Sequence, residues 1–152
     1  MERNRLVTQE DEWGCGVACV ASKLGIKYDE AKKRLEEYKG SPIDPGGLEL
    51  EPIMSVLQDA GICVLATTDL TNFPLGSIVF LSETWGRYKG SGHYLLNTER
   101  GWMDPWSNMP HMPRESVFLS SLSRDKKISA HEANCVTPHS IRRNSMQHIL
   151  ML

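Results

Sequence analysis

The succession of apolar patterns along the chain predicts an α+β fold, and three observations carry that reading. Residues 15–60 hold three stretches whose apolar positions recur at helical spacing, and residues 62–120 hold short strand-like runs broken by glycine and proline. The two kinds follow one another and do not alternate, which points away from a parallel βαβ layout. With 152 residues, 40% of them apolar and 24% charged, the chain is long enough for one domain with a true core.

The first helix is predicted over Cys15–Leu24. Val17, Ala18, Val20, Ala21 and Leu24 fit a largely buried helix, and Gly25 is its stop signal. Residues 29–38 read as a second helix with a narrow apolar stripe of Ala31, Leu35 and Tyr38. Acidic residues lead and lysines follow, which suits the helix dipole. Proline and glycine make residues 39–47 a loop. A third helix is predicted over residues 48–60, with Pro52 tolerated only in its first turn, Ile53, Val56 and Leu57 facing inward, and Gly61 ending it.

Strand signals begin at residues 62–66, ICVLA, followed by a turn region at 69–76. Residues 77–81, SIVFL, are apolar throughout, as expected of a central strand. A glycine-bearing connection over 82–92 leads to a strand at 93–97. The tight turn TERG then leads to a strand-like piece over 102–106 that Pro105 interrupts. Residues 116–120 read as a last strand. Beyond residue 121 the chain is polar and mixed, with Arg142 and Arg143 and an apolar end, MQHILML. The sequence leaves disorder and a short helix both open there. The domain is therefore drawn as residues 1–120, with 121–152 a polar tail of uncertain structure.

The totals exclude several classes of function. A net charge of -2 gives no reason to expect a nucleic acid or an anionic membrane as partner. No apolar run approaches the roughly 20 residues of a membrane span. The N-terminus MERNRLVTQEDE is charged and lacks the apolar core of a signal peptide, which predicts a cytoplasmic protein. In that setting Cys15, Cys19, Cys63 and Cys135 are expected as reduced thiols. Cys15 and Cys19 have no second closely spaced Cys/His pair, so structural zinc is not expected. Cys19 reads as a small buried hydrophobe one turn on from Cys15.

Cys15 itself is the candidate nucleophile. It follows Gly14 directly at the start of an apolar helix, where unpaired N–H groups and the positive end of the dipole favour thiolate. A thiolate needs a base and a group that orients the base. Of five histidines, His93 alone starts a clear strand, with His93 and Leu95 on one face and Tyr94 and Leu96 on the other. Asp104 follows across a turn short enough for a hairpin, which places it to accept a hydrogen bond from the His93 ring. Gln9, six residues before Cys15, carries an amide suited to donate to an oxyanion beside the thiol, with the Cys15 N–H as second donor. Each has a bland alternative: His93 as a surface histidine, Asp104 as a turn former before Pro105, Gln9 as an exposed polar residue.

Together the four resemble the papain-like cysteine peptidases, most closely the peptidase domain at the N-terminus of bacteriocin-exporting ABC transporters. Those domains open with a Gln, five residues, then Cys-Gly-x-Ala-Cys at the head of a helix. Here the run is Gln9-Glu10-Asp11-Glu12-Trp13-Gly14-Cys15-Gly16-Val17-Ala18-Cys19. Their later His with apolar strand residues, and their Asp-Pro, correspond to His93-Tyr94-Leu95-Leu96 and Asp104-Pro105. The resemblance covers residues 8–106. It implies a papain-like fold with N-terminal helices packed on an antiparallel sheet, Cys15 as nucleophile, His93 as general base and acid, Asp104 as its orienting partner, and Gln9 as oxyanion donor. It implies a peptide or protein substrate and no metal or organic cofactor.

The chain also departs from that family. The 152 residues include neither membrane nor ATPase regions, so cleavage of a leader at a double glycine does not carry over. Gly14 stands where the family often has an acidic residue, which leaves one helix-start carboxylate missing. Deamidation or acyl transfer would use the same triad. A non-catalytic peptide-binding module of the same shape, or a toxin or immunity component, is the alternative class. The aromatic segment from Trp85 to Tyr88, with Trp102 and Trp106, is a candidate groove lining or a part of the core.

Overall fold

The computed structural model describes residues 2–67, 73–82 and 88–122, together with the backbone of residues 146–151. Trp85, Cys135, Arg142 and Arg143, and part of the turn predicted at 69–76, lie outside the described residues. Three helices come first: α1 (Cys15–Leu24), α2 (Tyr28–Lys39) and α3 (Leu50–Asp59). The strands are β1 (Leu65–Thr67), β2 (Ile78–Ser82), β3 (Gly92–Thr98), β4 (Gly101–Asp104), β5 (Val117–Leu119) and β6 (Met146–Met151). They form one antiparallel sheet in the order β1-β6-β2-β3-β4-β5. The fold is α+β. Among the described residues no helix is long and apolar enough to cross a membrane.

Burial all round explains the composition of α1. Every residue from Cys15 to Lys23 is buried, with α2 and α3 on one side and the sheet on the other. Such a helix reads as apolar on every face. It stops where expected: Gly25 takes the left-handed conformation at φ 67, and its N–H reaches the last turn. By contrast α2 is amphipathic, burying Tyr28, Ala31 and Leu35 and leaving its charged face in water. It begins one residue earlier than its charge pattern suggests, because Tyr28 packs inward at its first position.

The all-apolar run in β2 also has a physical cause. β2 lies between β6 and β3, and both of its faces are covered. Ile78 and Phe80 meet the helices together with Tyr94, Leu96 and Met103. Val79 and Leu81 join Leu95 and Trp102 in a second cluster on the other face. The strand expected over residues 62–66 is shorter and lies later, at Leu65–Thr67, an edge strand with Leu65 exposed. Residues 146–151, open in the sequence between disorder and a short helix, form a strand between β1 and β2. Pairing partners far along the chain decide strand formation there, and local pattern does not contain them.

Candidate active site

Cys15 is the first residue of α1, and Gly14 precedes it with no side-chain cap on the helix. The first N–H groups of a helix lack intrahelical acceptors, so the backbone here is a source of donors. The sulfur lies near the N–H of Gly16 and, across the gap to the sheet, near the N–H of Tyr94. It also lies beside the His93 ring. Burial by itself would push the Cys15 thiol up. The His93 ring, by charge and by hydrogen bond, and the two backbone donors outweigh that, and the thiol is lowered from its ordinary value.

The hairpin of β3 and β4 builds the other half of the site. The register Leu96↔Met103, Asn97↔Trp102 and Thr98↔Gly101 leaves only Glu99 and Arg100 in the turn. Continued outward, it places Asp104 on the His93 face of the sheet. His93 Nε2 donates to Asp104 Oδ1 at 2.7 Å, with side-chain exposures of 3% and 2%. With Nε2 so engaged, Nδ1 is the ring nitrogen left for the thiol. The same Asp104 Oδ1 accepts the N–H of Trp106 at 3.0 Å. One oxygen atom of Asp104 thus takes both the ring N–H of His93 and a turn N–H.

The structure brings Cys15, His93 and Asp104 together, with a hydrogen bond between His93 and Asp104 and the Cys15 thiol beside the ring. Gln9 is buried beside the loop that leads to Cys15, and its amide is used differently from the expectation. Nε2 donates to the carbonyls of Asp11 at 3.1 Å and Glu12 at 2.9 Å, and Oε1 is buried with no hydrogen-bond partner. In this arrangement both amide hydrogens hold the loop, and none is directed to an oxyanion. Cys19 sits one turn below Cys15, and burial pushes its thiol well up, helped by the charges of Cys15 and Asp104. It is the buried hydrophobe that its spacing suggested.

Two further groups shape the site and carried no clear signal in the sequence. The segment before Cys15 is fastened to the segment after Asp104. Gln9 N–H donates to the Pro105 carbonyl at 3.2 Å, Arg114 Nη1 donates to the Glu10 carbonyl at 2.7 Å, and Thr8 and Ser116 share a hydroxyl hydrogen bond at 2.6 Å. Arg114 also lies over the Trp106 ring, 4.7 Å from its centre. From the other side, α2 holds the turn at Asp11 through Tyr28 and Lys32. Trp102 and Trp106 are buried and belong to the packing. Tyr88 meets Trp13 edge-on at 5.4 Å and donates its hydroxyl to Glu12 Oε1 at 3.0 Å. No protein-family model matches the chain, and no curated protein matches it significantly in sequence.

Proposed function

We propose that this protein is a papain-like cysteine hydrolase of peptide or amide bonds, with Cys15 as nucleophile, His93 as general base and acid, and Asp104 as the group that orients His93. The observation that carries the reading is the buried line of thiol, imidazole and carboxylate. Burying a histidine and an aspartate costs several kcal/mol unless each is paired. A core needs no thiol beside such a pair, but an acyl-transfer site does.

The chemistry follows from the contacts. His93 takes the Cys15 proton, and Asp104 stabilises the resulting imidazolium at Nε2. The thiolate forms a bond to the carbonyl carbon, and the carbonyl electron pair moves onto oxygen. The Cys15 N–H, at the open end of α1, donates to that oxyanion. His93 then gives its proton to the leaving amine as the C–N bond breaks, leaving a thioester. Water attacks the thioester with His93 again taking the proton. The acid leaves, and the sulfur returns as thiolate. Gln9 joins the oxyanion only by giving up one of its loop carbonyls, so its first contribution is to hold the backbone of residues 11 and 12. Hydrolysis, deamidation and transfer share every step up to the thioester and differ in what enters the cleft and what attacks it.

The test is the pH dependence of iodoacetamide labelling, mapped by residue. Cys15 labels at a lower pH than an ordinary thiol does, and His93→Ala removes that advantage. Cys15 labelling with the same pH profile as Cys63 overturns the proposal. A Cys15→Ala protein used as bait then identifies the substrate by what it retains.

A further inference from the structure

Residue 14 is a glycine for a reason its own backbone does not give. Its φ of -92 and ψ of 13 lie where any residue fits. What forbids a side chain is Tyr28. The Tyr28 hydroxyl lies well inside the contact distance of a Cβ built on Gly14, with Tyr28 Cζ at 3.1 Å and the Asp11 carbonyl at 3.2 Å as the next neighbours. The phenol thus occupies the space directly behind the peptide that delivers Cys15.

The same hydroxyl is tied into the turn before the helix. It donates to Asp11 Oδ2 at 3.0 Å and accepts the Asp11 N–H at 3.2 Å, closing a ring between one side chain and one residue. Asp11 Oδ1 is held in turn by Lys32 Nζ at 2.7 Å, four residues along α2 from Tyr28 and on the same face. Asp11 O accepts the Gly14 N–H at 3.2 Å, which completes the turn. Tyr28 is buried, and burial pushes its hydroxyl up, so it remains a neutral phenol able to donate.

We propose that Tyr28 is a positioning residue for Cys15. Its hydroxyl, filling the space left by Gly14 and bonded to both ends of Asp11, fixes the turn of residues 11–14 and through it the sulfur and the N–H of Cys15. The proposal rests on Cys15 being the nucleophile. It makes Gly14 and Tyr28 a coupled pair: the glycine exists to admit the hydroxyl, and the hydroxyl does the holding. The first turn of α1 has no side-chain cap of its own.

The coupling is tested with four proteins: wild type, Gly14→Ala, Tyr28→Phe, and the double variant. The readout is the second-order rate of Cys15 alkylation by iodoacetamide from about pH 5 to about pH 9, with thermal melting followed in parallel. A methyl on Gly14 must displace the Cys15 backbone, and a misplacement of about 1 Å costs on the order of a hundredfold in rate. Tyr28→Phe keeps the ring and loses the Asp11 bonds, a loss of about tenfold. The double variant is the deciding one. With the hydroxyl gone, the nearest neighbour of the new methyl is Cζ at 3.1 Å, a tight contact that small shifts relieve. It recovers about tenfold or more over Gly14→Ala alone, where independent effects would multiply to a still slower rate. The labelling profile of Gly14→Ala moves to higher pH, which a uniform loss of stability does not produce.

A double variant no faster than Gly14→Ala, or a Gly14→Ala protein with the wild-type profile, overturns the role of Tyr28 and leaves the nucleophile in place. A wild-type Cys15 with the profile of Cys63 overturns both.

Discussion

Asp104→Asn separates the orienting role of the carboxylate from its charge. In most pictures of a histidine-carboxylate pair, an amide substitution inverts the ring tautomer, because the amide nitrogen turns toward the ring. Here that turn is opposed. Asp104 Oδ1 accepts two hydrogen bonds, from His93 Nε2 at 2.7 Å and from Trp106 N–H at 3.0 Å. An asparagine that keeps its oxygen at this position satisfies both donors; flipped, it sets an NH₂ against two N–H groups. The oxygen-in arrangement therefore wins, and His93 keeps its tautomer. What is lost is the charge. A hydrogen bond to a charged group contributes about 1.5–3 kcal/mol, and a neutral one about 0.5–1.5. The difference of roughly 1–1.5 kcal/mol is about tenfold in rate. Asp104→Ala, which leaves both donors unpaired, loses far more. The assay is the rate of Cys15 alkylation near neutral pH, repeated as kcat/KM once a substrate is in hand. A loss of less than about twofold in Asp104→Asn would show that Asp104 only shapes the turn. A loss as deep as that of Asp104→Ala would refute the argument that one oxygen serves both donors.

The other expectations are direct. Cys15→Ala abolishes hydrolysis while leaving the thermal midpoint within a few degrees of wild type, since it removes one small side chain at a helix end; residual turnover that disappears in Cys15→Ala with Cys19→Ala would show that the second thiol can act. Burial lowers Lys23 to about 8, and its Nζ donates to the Gly76 carbonyl. The folded chain thus releases this proton near pH 8, and the unfolded chain holds it to about pH 10.4, so this residue's contribution to stability rises with pH between the two. Urea midpoints measured across that range rise less steeply in Lys23→Met than in wild type. Leu35→Ala, fully buried where α2 meets the core, costs about 2–5 kcal/mol by urea titration. Gly25→Ala, at φ 67, costs about 1 kcal/mol by the same measurement, for backbone reasons that do not apply at Gly14.

What was legible in the sequence was whatever local pattern decides. The bounds of α1 follow from its apolar positions and from Gly25. β2 could be placed inside the sheet because a strand covered on both faces has no polar alternation to show. The hairpin argument located Asp104 against His93, because a two-residue turn and a side-chain period of two leave little freedom. Beyond that, pattern ran out where long-range pairing or a single atom's placement decides. β6 takes its place between two strands far from it in the chain. Tyr28 looked like the residue before a helix, and only its packing shows it as the first residue of α2 pressed against Gly14. The Gln9 amide could be read as a donor from its spacing, but its acceptors are set by the path of residues 11 and 12.

The balance of forces along α1 shows why reactivity would be confined to its first turn. Cys15, Cys19 and Lys23 are spaced by four residues and so share one face of a fully buried helix. Burial opposes the charged form of all three: it pushes both thiols up and the ammonium down. Cys19 follows burial, and its thiol is raised well above the ordinary value. Lys23 follows it too, down to about 8. Cys15 alone moves against it. It has what the other two lack, a ring and two backbone N–H groups near the sulfur. One of those donors comes from the helix start and one from β3, so the helix must be docked on the sheet in one register for both to reach. The residues that fix that docking at the helix start, Tyr28 and Asp11 from one side and Gln9 from the other, therefore act on the thiol without touching it.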